Sequence, residues 1–140
     1  MAIDWFTVRA GPIKAIQHGI HETGLFETEL TGPRTFQNIN YPTAQTYPVN
    51  TTRESGNEFR QRIEANLVFE RSRDYSYVDD VLHPMASVVA ECMAALAATE
   101  SVISYVPAEI EDFAGEMDNT SVLVLRIAFD VTTLVDLAET

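Results

Sequence analysis

The clearest hydrophobic pattern in the chain lies between residues 58 and 70. Phe59, Ile63, Ala65, Leu67 and Phe69 alternate with Arg60, Arg62, Glu64, Asn66 and Glu70, broken only by Gln61 and Val68. A period of two belongs to a strand with one buried and one wet face. A turn through Ser72-Arg73-Asp74 is expected after it. The period then changes. Val78, Val81, Leu82, Met85, Val88, Val89, Cys92, Met93 and Leu96 form an i, i+3, i+4, i+7 stripe, which predicts a helix of about five turns. Asp79 and Asp80 fall in its first turn, where they complement the helix dipole. At Pro84 either the helix kinks, or a short turn precedes a helix that has Pro84 at its first position.

The flanking segments are less regular. In residues 2–22, Ile3, Trp5, Phe6, Val8, Ile13, Ile16 and Ile20 are spaced roughly as on a helix, with Asp4 as its cap and Thr23-Gly24 as its end. Gly11-Pro12 is expected to kink this helix or split it in two. From Leu25 to Asn57 the chain is rich in Thr, Pro, Gly and Asn, with one short strand candidate at Thr35-Phe36-Gln37-Asn38-Ile39. Residues 34–57 read as a proline-punctuated arm, and a stretch of that kind in a small domain is often functional. After Thr99, a strand from Val102 to Ile110, a turn over Ala114-Gly115-Glu116-Met117-Asp118-Asn119 and a strand alternating through Leu123, Leu125, Ile127, Phe129 and Val131 form a hairpin. The order helix, strand, strand, helix, strand, strand predicts one α+β domain over 1–140. It should have an antiparallel or mixed sheet of about four strands, with helices packed on one face.

Charge changes this picture most. Asp and Glu number 21 against 9 Lys and Arg, a formal net charge of −12, and Lys14 is the only lysine. A basic partner is one explanation. Adaptation to a salt-rich cytoplasm is the favoured one, because about 1 M salt confines repulsion to roughly 3 Å and carboxylates keep the surface soluble. A surface this acidic argues against sequence-specific nucleic-acid binding. No apolar run is read as approaching the roughly 18 residues of a membrane span. The first residues, Met1-Ala2-Ile3-Asp4-Trp5-Phe6, carry no secretory pattern, so folding in a cytoplasm is expected.

Candidate chemistry is sparse. His18, His21 and Glu22 could share one side of a helix end, but a metal needs three or four convergent ligands, so a solvated helix end is the preferred reading. His83 belongs to the turn at Pro84. The carboxylates at Asp74, Asp79 and Asp80, and at Glu109, Glu111, Asp112, Glu116 and Asp118, read as a solvated acidic face, and no calcium-loop pattern accompanies them. Cys92 is the only cysteine and falls within the apolar helix stripe, which makes it a buried structural thiol with no disulfide available. Asn50-Thr51-Thr52 and Asn119-Thr120-Ser121 match the short glycosylation pattern. No nucleophile elbow, phosphate loop, dinucleotide fingerprint or zinc-protease motif occurs. No catalytic residue, cofactor or metal is therefore assigned. Arg53, Arg60 and Arg62 have two open readings, cross-strand pairing with carboxylates or contacts between subunits. Tyr41 and Tyr47 suit interface anchors or a cover over their own core.

The order of elements, with Tyr41-Pro42 through Tyr47-Pro48, Thr52-Arg53-Glu54 and the run from Phe59 to Glu70, resembles the tail-terminator proteins of long-tailed phages and haloarchaeal tailed viruses. The similarity runs from about Gln37 to the C-terminus. It implies a non-enzymatic virion protein assembled in the host cytoplasm, forming a hexameric ring. Such a ring caps the tail tube protein on one face and offers the other to the head-side connector. Genome DNA would pass through it without sequence-specific binding. Tyr41, Tyr47, Arg53, Arg60 and Arg62 would serve its subunit contacts. Another neck or tail component, such as a tail-completion, head-closure or tube protein, is the nearest alternative. A small acidic binding domain or enzyme subunit of a halophile is the alternative from a different class.

Overall fold

The alternation between residues 58 and 70 becomes a strand with those bounds, and the rest of the sheet is laid on either side of it. In the computed structural model, residues 5–31, 40–71, 76–117 and 120–135 are described. The elements are α1 (Trp5–Thr23), β1 (Thr28–Thr31), β2 (Thr43–Ser55), β3 (Glu58–Glu70), a π-helical turn (Tyr77–Leu82), α2 (His83–Ala97), β4 (Val102–Met117) and β5 (Thr120–Leu134). The five strands run in the order β1-β2-β3-β5-β4. β1 pairs with β2 in parallel and every other pair is antiparallel, so the sheet is mixed. This is the expected α+β class, with five strands where about four were expected.

The core lies between one face of the sheet and the two helices. Ile63, Ala65 and Leu67 of β3 and Leu123, Leu125, Ile127, Phe129 and Val131 of β5 meet Ile16 and Ile20 of α1 and Val88, Cys92 and Leu96 of α2. Each large side chain so buried contributes about 1.5–3 kcal/mol. α1 and α2 approach until their backbones touch. A Cβ on Gly19 would lie 2.6 Å from Cys92 Cα and 2.7 Å from Cys92 N.

Several sequence expectations need correction. Of the two alternatives at Gly11-Pro12, a kink or a split, the split is excluded, because α1 continues through Pro12 as one helix. Pro12 removes one helical hydrogen bond, but it is buried between the fully buried Val8 and Ile16, and that packing holds the helix together. The proline-punctuated arm is mostly strand: β2 occupies 43–55 and lies inside the sheet. Pro48 is tolerated because the register shifts between Pro48 and Asn50, a bulge where a missing N–H costs little. At the far end of β2, Gly56 has φ +49°, the left-handed conformation that the tight link to β3 requires. The short strand β1 was not anticipated. The strand candidate at 35–39, the turn at 72–74 and the cap at Asp4 lie outside the described residues. The turn expected over 114–119 is shorter, because pairing continues from Ala114↔Leu123 to Met117↔Thr120.

At Pro84 the helical backbone is continuous: a π-helical stretch, Tyr77–Leu82, runs directly into α2. Pro84 is the second residue after the change from π to α geometry, so neither the expected short turn nor a helix beginning at Pro84 is found. Ser76 caps the turn: its Oγ accepts from Asp79 N at 3.3 Å, and its own N–H donates to Asp80 Oδ2 at 2.7 Å. The span from Asp79 to Ala97 has a mean hydropathy of 1.3 and is long enough to cross a membrane, which corrects the expectation that no run approaches that length. Core helices pass the same test. Here Val88, Cys92 and Leu96 pack inward, while Ala86, Ala90, Ala94 and Ala97 face out.

Candidate assembly surface

Successive strand residues point to opposite faces, so the face of the sheet away from the helices carries the polar half of β3. On that face Arg62 donates to Glu109 Oε2 of β4 at 2.7 Å and lies 3.6 Å from Asp130 of β5. Beside it, Arg126 donates to Glu111 Oε1 at 2.8 Å and to Asn66 Oδ1 at 3.2 Å, with Glu64 at 3.5 Å. Its guanidinium also sits 5.4 Å from the centre of the Phe113 ring. Two arginines thus tie three strands together across the sheet. Each such pair is worth roughly 0.2–1 kcal/mol, and together they link β3, β4 and β5 across this face.

The arginines and tyrosines singled out in the sequence do not converge. Arg62 is held by Glu109 and Asp130 within the chain. Arg60 pairs with Glu54 at 2.9 Å, and Arg53 donates to Gly56 O at 2.6 Å across the hairpin end. Tyr41 lies at the other end of β2, packed on Val68, Val122 and Val124 as the cover of a small core on the helix-free face. Tyr47 is half-buried on β2, opposite Glu64. β2 has 13 residues, so Tyr41 and Arg53 are separated by nearly the whole strand, roughly 35–40 Å at about 3.4 Å per residue.

The histidine cluster also separates. His18 lies 3.7 Å from Glu22, whereas His21 turns to Glu29 at 3.1 Å. Among the described residues no three His, Cys, Asp or Glu side chains converge as metal ligands. Cys92 is fully buried, and its Sγ donates to Ile16 O at 3.4 Å. Burial, with a smaller contribution from the Glu91 charge, pushes its thiol up to about 12. It is the inert structural thiol the helix stripe predicts. A groove of about 680 Å³ opens between α1 and α2, with Ala15, Ala94, Ala95 and Ala98 along its floor and Lys14, His18, Glu22 and Glu91 at its rim.

The unanticipated feature lies at the margins of the sheet. Among the described residues seven large hydrophobic side chains are exposed, and five of them lie on two strands: Val49 on β2 and Ile103, Val106, Ile110 and Phe113 on β4. The four on β4 are 42–49% exposed. β4 is the last strand of the sheet, 16 residues long, and among the described residues one of its sides is unpaired. At the opposite margin β1 covers β2 only from Thr43 to Thr46, which leaves the rest of that edge open among the described residues. The sequence held a signal for β4, since apolar residues occupy both of its phases (Val102, Tyr105 and Ile110 against Val106 and Phe113). Such a strand expects cover on both sides. Arg126 too was findable, as the only Lys or Arg after Arg73.

No protein-family model and no curated protein matches the chain. One solved structure, of a protein with no descriptive name, aligns over 99% of this chain and 100% of its own, at 14% identity with a TM-score of 0.43. A likeness at that level carries no argument about fold or function.

Proposed function

We propose that the chain is a non-enzymatic structural subunit of a tailed virus, the tail terminator, which works by forming a ring of its own copies. The ring would close a growing tail tube on one face and meet the head-side connector on the other. The observation that carries this proposal is the long unpaired edge of β4 with its exposed apolar side chains. Natural sheets blunt their edges with charges, prolines and bulges. β4 has Pro107, two register shifts and four carboxylates, yet its register is unbroken from Glu109 to Met117 with Ile110 and Phe113 exposed, which leaves that stretch a template for another chain. The resemblance of residues 41–48, 52–54 and 59–70 to tail terminators supplies the particular assembly. A ring also suits two unlike open edges, because copies in a ring meet through different patches on the two sides of each subunit.

Disrupting the gene in the genome that encodes it, with tail length and head attachment measured by electron microscopy, tests the proposal. Overlong or variable tails with unattached heads are expected. Tails of normal length beside unjoined heads would move the assignment to a completion or head-closure role. Intact infectious particles would remove the virion role altogether.

A further inference from the structure

We propose that copies of this chain join through their sheets, with the free side of β4 on one copy pairing antiparallel with the open edge of β2, residues 48–55, on the next. This rests on the ring assembly proposed above and identifies the contact that would build it.

Strand direction supports the joint. β4 runs antiparallel to β5, β5 antiparallel to β3 and β3 antiparallel to β2, so β4 and β2 point in opposite directions within one sheet. Copies placed edge to edge in the same orientation therefore meet as an antiparallel pair, the slightly stronger geometry. Length agrees as well. Among the described residues β1 stops opposite Thr46, and nothing pairs with residues 48–55 of β2 on that side. On β4, Pro107 and the register shift before Glu109 guard the middle, and the register is then unbroken from Glu109 to Met117. Nine residues of β4 face eight of β2.

Charge decides which edge is the partner. Glu109, Glu111, Asp112 and Glu116 lie in that stretch of β4, and the strand contains no Lys or Arg. Arg62 and Arg126 offset Glu109 and Glu111, but two copies joined β4 to β4 would still bring together two edges that carry acidic side chains and no basic residue of their own. Residues 48–55 of β2 carry Arg53 and Glu54, a net charge of zero. The head-to-tail joint thus covers the exposed Phe113 of β4 without opposing two acidic rows. A head-to-tail joint leaves one unused edge at each end of a growing row, and closure of the row into a ring satisfies both.

Disulfide trapping in the full chain reads the joint directly, because Cys92 is buried and unreactive and adds no background. The antiparallel register brings position 113 opposite position 52 on the helix-free face, so Phe113→Cys and Thr52→Cys are the probes. Under mild oxidation in high salt, mixed covalent dimers are expected when the two variants are combined, and none from either alone. A chain carrying both cysteines should give a ladder of covalent oligomers. Dimers from Phe113→Cys alone would overturn the joint in favour of a two-fold pairing of β4. Light scattering on the unmodified chain separates the two levels of the argument. Assembly without mixed dimers overturns the joint and leaves the ring standing, whereas a monomer at every salt concentration removes both.

Discussion

Gly19 is the residue on which the helix layer depends most sharply. Alanine in the middle of a helix ordinarily adds about 1 kcal/mol over glycine. Here the added methyl would meet Cys92 Cα at 2.6 Å and Glu91 C at 2.9 Å, both backbone atoms that cannot rotate away. α1 and α2 would have to separate, and overpacking of that kind costs about 1–3 kcal/mol. Gly19→Ala should therefore lower the urea midpoint with an unchanged slope, and a raised midpoint would mean that the helices are not in backbone contact. This contact was not legible in the sequence. A glycine in a helical pattern shows that a position is permissive, and only the crossing of α1 over Cys92 shows that it is required. The inward placement of Cys92 was legible, because the i, i+4 neighbours Val88 and Leu96 fix the face on which it lies.

At the scale of elements, β3 and β5 form the spine of the sheet, paired without a break from Glu58↔Leu134 to Glu70↔Val122. One polar side chain lies deep in that spine. Gln61 is 1% exposed, and among the described residues neither polar atom of its amide has a hydrogen-bond partner. The hydroxyl of Thr133, on the same face, is in the same condition. Leaving such a group unsatisfied costs about 1–3 kcal/mol. Gln61→Met, which keeps volume and shape, should raise the thermal midpoint, and a fall would show that the amide is satisfied in solution. Gln61 was visible as a break in the alternation, and the structure shows that the break faces the core. β3, β5 and α2 were legible because their buried faces are apolar and regularly spaced. β2 was not, because Thr43, Gln45 and Thr46 are buried polar residues, Ala44 is small, and Pro48 sits at a bulge. A strand lined by such residues has the composition of a loop, and its burial comes from its neighbours. The same holds for β1, whose four residues carry one large apolar side chain, Leu30.

The whole molecule carries a formal charge of −12, and its arginines are already engaged in part, Arg62 and Arg126 each holding two carboxylates. Added salt weakens those pairs slightly and weakens the general repulsion much more, since at about 1 M the screening length falls to roughly 3 Å. The thermal midpoint should rise steadily from 0.1 M to about 2 M sodium chloride; a flat or falling curve would tell against repulsion as the dominant surface term. The proposed assembly surface was legible in part, in the acidic stretch and the two apolar phases of β4, but exposure of Ile110 and Phe113 follows from the place of β4 at the margin, a property of sheet order rather than of local sequence. Sheet order also governs how the chain can be made. The strand that fills the centre beside β3 is the last one synthesised, and β4, made before it, touches the sheet only through it. A nascent chain emerging from the ribosome can close the β2–β3 hairpin and wind its helices early, but it has no place to dock β4 until translation has passed Leu134. The sheet is therefore completed only once β5 has been made, and β4 waits with its apolar side chains uncovered until β5 arrives.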